Sequence, residues 1–174
     1  MIKNSKKRNN TEFAILASAS PSLSPKHPVV VNLQLDYWID AVNEYKKIKE
    51  NNNPNLSYMI KTVNLLGSSL SNLFGANYHT INKRKETPSL KILVEKAGLK
   101  TDSRDLYERF LRFNQFYNDV AKHFSSIKID KAKDLDMNNL KEYMEITRDV
   151  WIWYFSKFYY NIPDEQLSHF KIAF

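Results

Sequence analysis

Glycine is the residue whose scarcity most constrains what this chain can fold into. Only three glycines, at positions 67, 75 and 98, occur among 174 residues. An all-β domain of this length would need many short strands joined by Gly-rich tight turns. The scarcity of glycine therefore favours helices over sheets.

Apolar residues recur at three- and four-residue steps, the spacing of the buried face of a helix. This spacing predicts five helices, over roughly 33–50, 55–76, 88–97, 102–124 and 137–160. Short polar links join the predicted helices, and no internal repeat is visible. We therefore predict an all-α fold, a helical bundle of four to five helices.

Local signals sharpen some of the helix boundaries. Thr87 and Pro88 suit the cap and the first position of the third helix, and Gly98 suits its end. Val29-Val30-Val31 resembles a strand-like lead-in to the first helix. In the second helix, the small residues Gly67-Ser68-Ser69 permit a kink or a close helix crossing.

Residues 1–28 differ in composition from the remainder of the chain. Lys and Asn dominate their start, and Ser and Pro recur between Ser18 and Pro28. Such a mixture resists both helix and sheet. We therefore expect a flexible, disordered basic leader over 1–28 and a single helical-bundle domain over 29–174.

The basic excess of the chain belongs mostly to this leader. The net charge is +7, from 26 basic and 19 acidic residues. Four of the basic residues lie within the first ten positions, which hold no acidic residue, so the remainder carries 22 minus 19, or +3. Charge alone therefore gives little support for nucleic-acid binding by the predicted bundle.

Several chemistries are excluded or disfavoured by composition. Cysteine is absent, which excludes disulfides, thiolate catalysis and cysteine-ligated zinc and fits a reducing, cytoplasmic setting. The four histidines lack metal-ligand spacing, and no Gly-rich phosphate loop occurs. No apolar run reaches the length of about 18 residues that a membrane span needs. We expect no metal, no cofactor and no membrane association.

The fifth predicted helix is aromatic nearly all round, at Trp151-Ile152-Trp153-Tyr154-Phe155. One face of a bundle cannot bury all of these side chains, so either the helix is central or its spare face meets a partner. Of the two readings we favour a homodimer. Beyond this helix, Leu167 and Phe170 indicate a final short turn of helix.

One segment, from Arg112 to Phe124, places ionisable residues inside a strongly helical apolar pattern. On an α-helix Asp119 and His123 stand one turn apart and can touch. His123 can exchange a proton near neutral pH, Asp119 can orient its ring, and Asn118 and Lys122 can stabilise a phosphate. Arg112 is eleven residues from His123, about 16 Å along the axis.

Each of these functional interpretations has a structural alternative. A histidine near the C-terminus of a helix is favoured there by the helix dipole, and Asp119 can simply pair with it. The basic run Lys83-Arg84-Lys85 can bind phosphates or can be a solvated loop.

The eight residues from Tyr117 to Phe124, inside a helical bundle, resemble the end of the signature of the HEPN superfamily. That signature is an arginine followed, after four to six residues, by a histidine. In this chain the expected arginine positions hold Phe116, Tyr117 and Asn118, so Asn118 stands where an arginine is expected.

The resemblance implies a helical dimer that binds RNA or cleaves it as a metal-independent endoribonuclease, in a toxin–antitoxin or antiviral defence system. It implies His123, Asp119 and Asn118 as catalytic residues, with Arg112 and Lys122 on the phosphate. A protein partner, such as an antitoxin or a defence-system component, is also implied. The departure at Asn118 leaves an alternative open, a non-catalytic helical module that dimerises and binds RNA or a protein.

Overall fold

The structure, a computed structural model, describes residues 28–51, 54–82, 88–122, 129–158 and 168–171. Within these ranges every regular element is a helix, which confirms the predicted all-α class. The elements are α1 (Pro28–Glu50), α2 (Leu56–Asn82), α3 (Leu90–Ala97), α4 (Leu99–Asp102), α5 (Arg104–Phe116), a π-helical turn (Tyr117–Ala121), α6 (Ile129–Ala132) and α7 (Met137–Phe158).

The first two helices are longer than predicted. Helix α1 begins at Pro28, so the expectation of a strand-like lead-in at Val29-Val30-Val31 is wrong. A proline suits a first helical turn, because the amide hydrogen that it lacks has no intrahelical acceptor there. Helix α2 continues to Asn82 instead of ending near residue 76, since no proline or glycine interrupts it after Gly75. Residues 1–27 of the predicted leader lie outside the described residues.

Helix α3 confirms one predicted boundary and corrects another. Gly98 adopts the left-handed conformation with φ of 96° and donates its amide hydrogen to Glu95, as a helix-ending glycine does. Pro88, predicted as the first helical residue, precedes the helix, which is flanked by Ser89 and starts at Leu90. Thr87 lies outside the described residues.

The fourth predicted helix is not the continuous helix expected over 102–124. Ser103 is extended, with φ of −147°, and separates α4 from α5. After Phe116 the backbone changes from α to π geometry. The polar link expected after this helix contains the short helix α6, which the apolar spacing did not reveal.

Helix α2 is at the centre of the bundle. It packs along α1 and also contacts α3, the π turn and α7, while α5 lies on α7. Large side chains from several helices are fully buried in this core, among them Trp38, Phe74, Phe110, Phe113, Trp151, Tyr154 and Phe155.

The aromatic run of α7 is accommodated largely within one chain. Trp151, Tyr154 and Phe155 are buried, and the half-buried Trp153 donates from Nε1 to the carboxylate of Asp102 at 3.2 Å. Ile152 keeps 37% of its surface exposed. The helix is therefore central on its aromatic side, and the homodimer stays a prediction.

The predicted C-terminal turn is present over residues 168–171, where Lys171 donates its amide hydrogen to the carbonyl of Ser168. Phe170 is buried, with its ring centroid 5.4 Å from those of both Trp38 and Trp151. Trp38 Nε1 donates to the main-chain carbonyl of His169 at 2.9 Å. This turn therefore packs against both α1 and α7. Leu167, which was predicted with it, lies outside the described residues.

No helix in the described ranges combines the length and the apolar character needed to cross a lipid bilayer.

Candidate functional site

The segment with the predicted signature coincides with a change of helix type. From Tyr117 to Ala121 the chain is π-helical, and the amide of Lys122 donates to the carbonyl of Tyr117, five residues earlier, at 2.8 Å. Such π segments inside α-helices are rare and are frequent at functional sites. The predicted stripe shared by Asp119 and His123 assumed α geometry, which does not hold over this turn.

Tyr117 packs into a gap in α2 that exists because residue 67 is a glycine. Its ring lies where a Cβ of residue 67 would stand, and it stacks on Phe113 with centroids 6.2 Å apart and planes 10° apart. Tyr117 is buried. Gly67 therefore admits an aromatic ring of the π turn against α2, and the predicted kink or close helix crossing stays a prediction.

Of the predicted catalytic residues, Asn118 and Asp119 are half-buried on the π turn. The Asp119 carboxylate accepts a hydrogen bond from Lys131 Nζ of α6 at 2.9 Å. Lys122, one residue beyond the turn, is exposed. The structure thus gathers a carboxylate and two lysines at the end of the predicted signature helix.

Lys131 is a member of this group that the sequence did not identify. Its contact with Asp119 joins two elements, the π turn and α6, across twelve positions of the sequence. Local periodicity carries no information about such a contact. The only signal was the alternation of lysine and aspartate along the polar link after residue 128.

The Arg112 side chain pairs with a residue of α7 and not with one of the π turn. It is exposed and forms an ion pair with Glu142 of α7, with 3.3 Å between Nη2 and Oε1. Seven residues separate it from Asp119, about 10 Å along a helix axis. Arg112 and Asp119 therefore have different partners on different helices.

The remaining predicted site residues lie outside the described residues. They are His123, Lys83, Arg84 and Lys85. Their predicted roles in proton transfer and phosphate binding stay predictions.

Two buried polar atoms lack a hydrogen-bond partner among the described residues, Asn114 Oδ1 and Thr147 Oγ1. Asn114 lies on α5 one turn before the π turn, and Thr147 lies on α7. A buried polar group without a partner costs stability. In contrast, the buried Ser69 hydroxyl accepts a hydrogen bond from Trp151 Nε1 at 2.8 Å.

The described residues contain no cluster of three or more His, Cys, Asp or Glu side chains that could hold a metal ion. The carboxylate and lysines at the π turn are instead groups that form charge-assisted hydrogen bonds, and a lysine of this kind can bind a phosphate.

Comparison with known proteins yields no match to this chain among protein-family models, curated proteins or solved structures.

Proposed function

We propose that this chain is a HEPN-like protein that binds RNA and cleaves it without a metal, with His123 as the proton-transfer group. The observation that carries the proposal is the π turn, on which Asp119 is held by Lys131 and which ends beside the exposed Lys122. His123 follows Lys122 directly in sequence. A rare helix geometry at the segment with the predicted signature is the support that goes beyond the resemblance itself.

In the proposed reaction, the 2′-oxygen of a ribose attacks the adjacent phosphorus and the 5′-oxygen of the next nucleotide leaves. His123 takes the proton from the 2′-hydroxyl while water protonates the departing oxygen, or His123 protonates the departing oxygen while water takes the proton from the 2′-hydroxyl. Lys122, or Arg112 from a partner copy, neutralises the charge that develops on the phosphate. Loss of one such group costs about 3–4 kcal/mol of transition-state stabilisation, by analogy with an oxyanion hole.

Asp119 has a positioning role in this proposal. A carboxylate that is held in place by Lys131 is available to orient a neighbouring imidazole without itself moving. The Lys131 ammonium also adds a cation where a phosphate would bind.

A second function is favoured by one specific observation, the presence of Asn118 where the family signature has an arginine. An amide can donate a hydrogen bond to a phosphate but carries no charge to offset the transition state. The alternative is therefore a non-catalytic helical module that dimerises and binds RNA or a protein, such as an antitoxin or a defence-system component.

A homodimer belongs to both proposals, since the resemblance implies that two signatures meet in one cleft. Ile152 is the exposed apolar residue of the aromatic run on α7. Light scattering of the parent protein and of Ile152→Glu tests this part of the proposal. A dimer that the substitution converts to a monomer supports it, and a parent that is monomeric at high concentration contradicts it.

Incubation of the purified protein with total RNA in EDTA, beside His123→Ala, tests the catalytic proposal. His169→Ala is a matched control, because His169 lies in the C-terminal turn and its main-chain carbonyl, not its ring, holds Trp38. We expect fragments from the parent and from His169→Ala, and none from His123→Ala. Equal cleavage by the parent and His123→Ala would end the catalytic interpretation.

A further inference from the structure

The end of the bundle where α1 stops and α2 begins carries two adjoining pockets. The first, of about 420 Å³, is lined by residues that include Glu44, Lys47 and Lys61. The second, of about 340 Å³, includes Lys49 and Lys141. Ile48 lines both pockets, so the two adjoin at this end of the bundle, and together they are called the groove.

Cations dominate the groove. Its described lining holds four lysines and one carboxylate, that of Glu44, which leaves a net charge of +3. Glu44 accepts from Lys61 at 3.0 Å and from Lys47 at 3.4 Å, and the hydrogen bond from Lys61 lowers its pKa. Within the described residues, no carboxylate is paired with Lys49 or Lys141. The groove therefore matches a ligand with several negative charges.

An exposed aromatic ring stands in the same groove. Tyr58, in the first turn of α2, lines the first pocket and keeps 54% of its surface exposed, more than the other exposed large hydrophobic side chains of the described residues. An aromatic ring that shares a pocket with lysines, here Lys47 and Lys61, is a combination with which proteins bind single-stranded nucleic acid, since bases stack on the ring and phosphates contact the cations. A ligand with negative charge alone would need no such ring.

We infer that this groove binds single-stranded RNA, with phosphates on Lys47, Lys49, Lys61 and Lys141 and a base stacked on Tyr58. The inference rests on the proposed function for its choice of RNA. The groove and the π turn lie on neighbouring elements, since Lys131 of α6 is six residues before Met137, which lines the second pocket. Six residues of chain span at most about 20 Å. One RNA strand could therefore contact both places.

Fluorescence anisotropy with a labelled single-stranded RNA, in the His123→Ala background so that the RNA stays intact, tests the inference. The variants are Lys49→Gln/Lys141→Gln and Tyr58→Ala. The matched control is Lys91→Gln/Lys171→Gln, which removes two exposed lysines that line neither pocket. Thermal unfolding of each variant checks that the fold is retained, as expected for surface changes.

We expect the groove double variant to weaken binding and to reduce the slope of log K against log salt by about 1.4, since each lost phosphate contact contributes about 0.7 for a single strand. Tyr58→Ala should weaken binding about tenfold with little change in slope. The control should behave as the parent does. The inference would be overturned if the groove and control double variants lost RNA affinity equally. It would also be overturned if neither groove variant lost affinity.

Two further outcomes separate this inference from the proposed catalytic function. If cleavage depends on His123 but its KM is unchanged in both groove variants, the RNA-binding role of the groove is contradicted. The catalytic proposal is then unaffected. If the protein binds RNA through the groove but cleaves no RNA, the RNA-binding role of the groove is supported and the catalytic proposal is contradicted. Equal binding of poly-glutamate and of an RNA of the same charge would overturn the RNA assignment in favour of an acidic peptide.

Discussion

The ring of Tyr117 occupies the space that any side chain at position 67 would need, so Gly67 and Tyr117 form a matched pair between α2 and the π turn. Tyr117 is the first residue of the π turn, and its ring is buried against α2. The pair therefore anchors the first residue of the turn, which precedes Asn118 and Asp119, against α2.

Gly67→Ala should destabilise the protein although alanine is the better helix former. The added methyl group would clash with the Tyr117 ring, and overpacking of this kind costs about 1–3 kcal/mol. Three atoms of the ring lie far inside contact distance of the added carbon, so we expect the upper part of this range, and the helix-propensity gain of about 1 kcal/mol offsets only part of that cost. Urea unfolding measures the net loss.

The double variant Gly67→Ala/Tyr117→Leu provides the control for this substitution. Removing the ring should remove the clash, so the two substitutions should be strongly non-additive. An additive double variant, or a Gly67→Ala protein more stable than the parent, would show that the two residues are not matched.

Thr147→Val should raise the free energy of unfolding by about 1 kcal/mol, because the Thr147 hydroxyl is fully buried without a partner among the described residues. Thr62→Val is the matched comparison, since Thr62 is equally buried on a helix but its Oγ1 donates to the carbonyl of Tyr58 at 2.9 Å. The free energy of unfolding of Thr62→Val should fall by about 0.5–1 kcal/mol. Chemical denaturation gives both values, and the reverse order would contradict the hydrogen-bond assignment.

Tyr107 should make stability depend on pH in the alkaline range. Burial, together with a hydrogen bond to Glu95 and the charge of that carboxylate, raises the pKa of Tyr107 to about 12. Because the pKa is higher in the folded state, the protonated Tyr107 contributes fully to the free energy of unfolding below the unfolded-state pKa of about 10. That contribution is lost as the pH rises toward 12. The parent should therefore lose stability over this range faster than Tyr107→Phe. Identical pH profiles for the two proteins would contradict the raised pKa.

Asn118→Arg should increase RNA cleavage, because it places an arginine five residues before the proposed catalytic histidine, with the four intervening residues that the signature allows. A positioned charge on the phosphate is worth about 10²–10³-fold in rate by analogy with an oxyanion donor. Asn118→Met controls for side-chain length without charge and should give no gain. An arginine variant no faster than the methionine variant would favour the non-catalytic alternative.

The sequence predicted the helical class and most helix positions because apolar spacing is a local property. Met137, for example, begins α7 where the pattern predicted a helix, and Gly98 ends α3 as expected. The break at Ser103 and the π turn were missed. The π turn is accompanied by a contact between Tyr117 and Gly67, fifty residues apart, which no local pattern reports.

The sequence likewise identified some residues of the candidate site and not others. Asp119 and Lys122 were identified because they interrupt an apolar helical pattern with charge. Lys131 was missed because its contact with Asp119 is made between two different elements, twelve residues apart in sequence. The groove lysines were missed too, since Lys49 and Lys141 come together only when α1 packs near the start of α7.

The most direct test of the account is the chemistry of the RNA ends that the protein produces in EDTA. Attack by a 2′-hydroxyl predicts fragments with 2′,3′-cyclic phosphate and 5′-hydroxyl ends from the parent, and no fragments from His123→Ala or from a strand built of 2′-deoxynucleotides. Intact RNA after incubation with the parent, fragments with 5′-phosphate ends, or unchanged cleavage by His123→Ala would contradict the account.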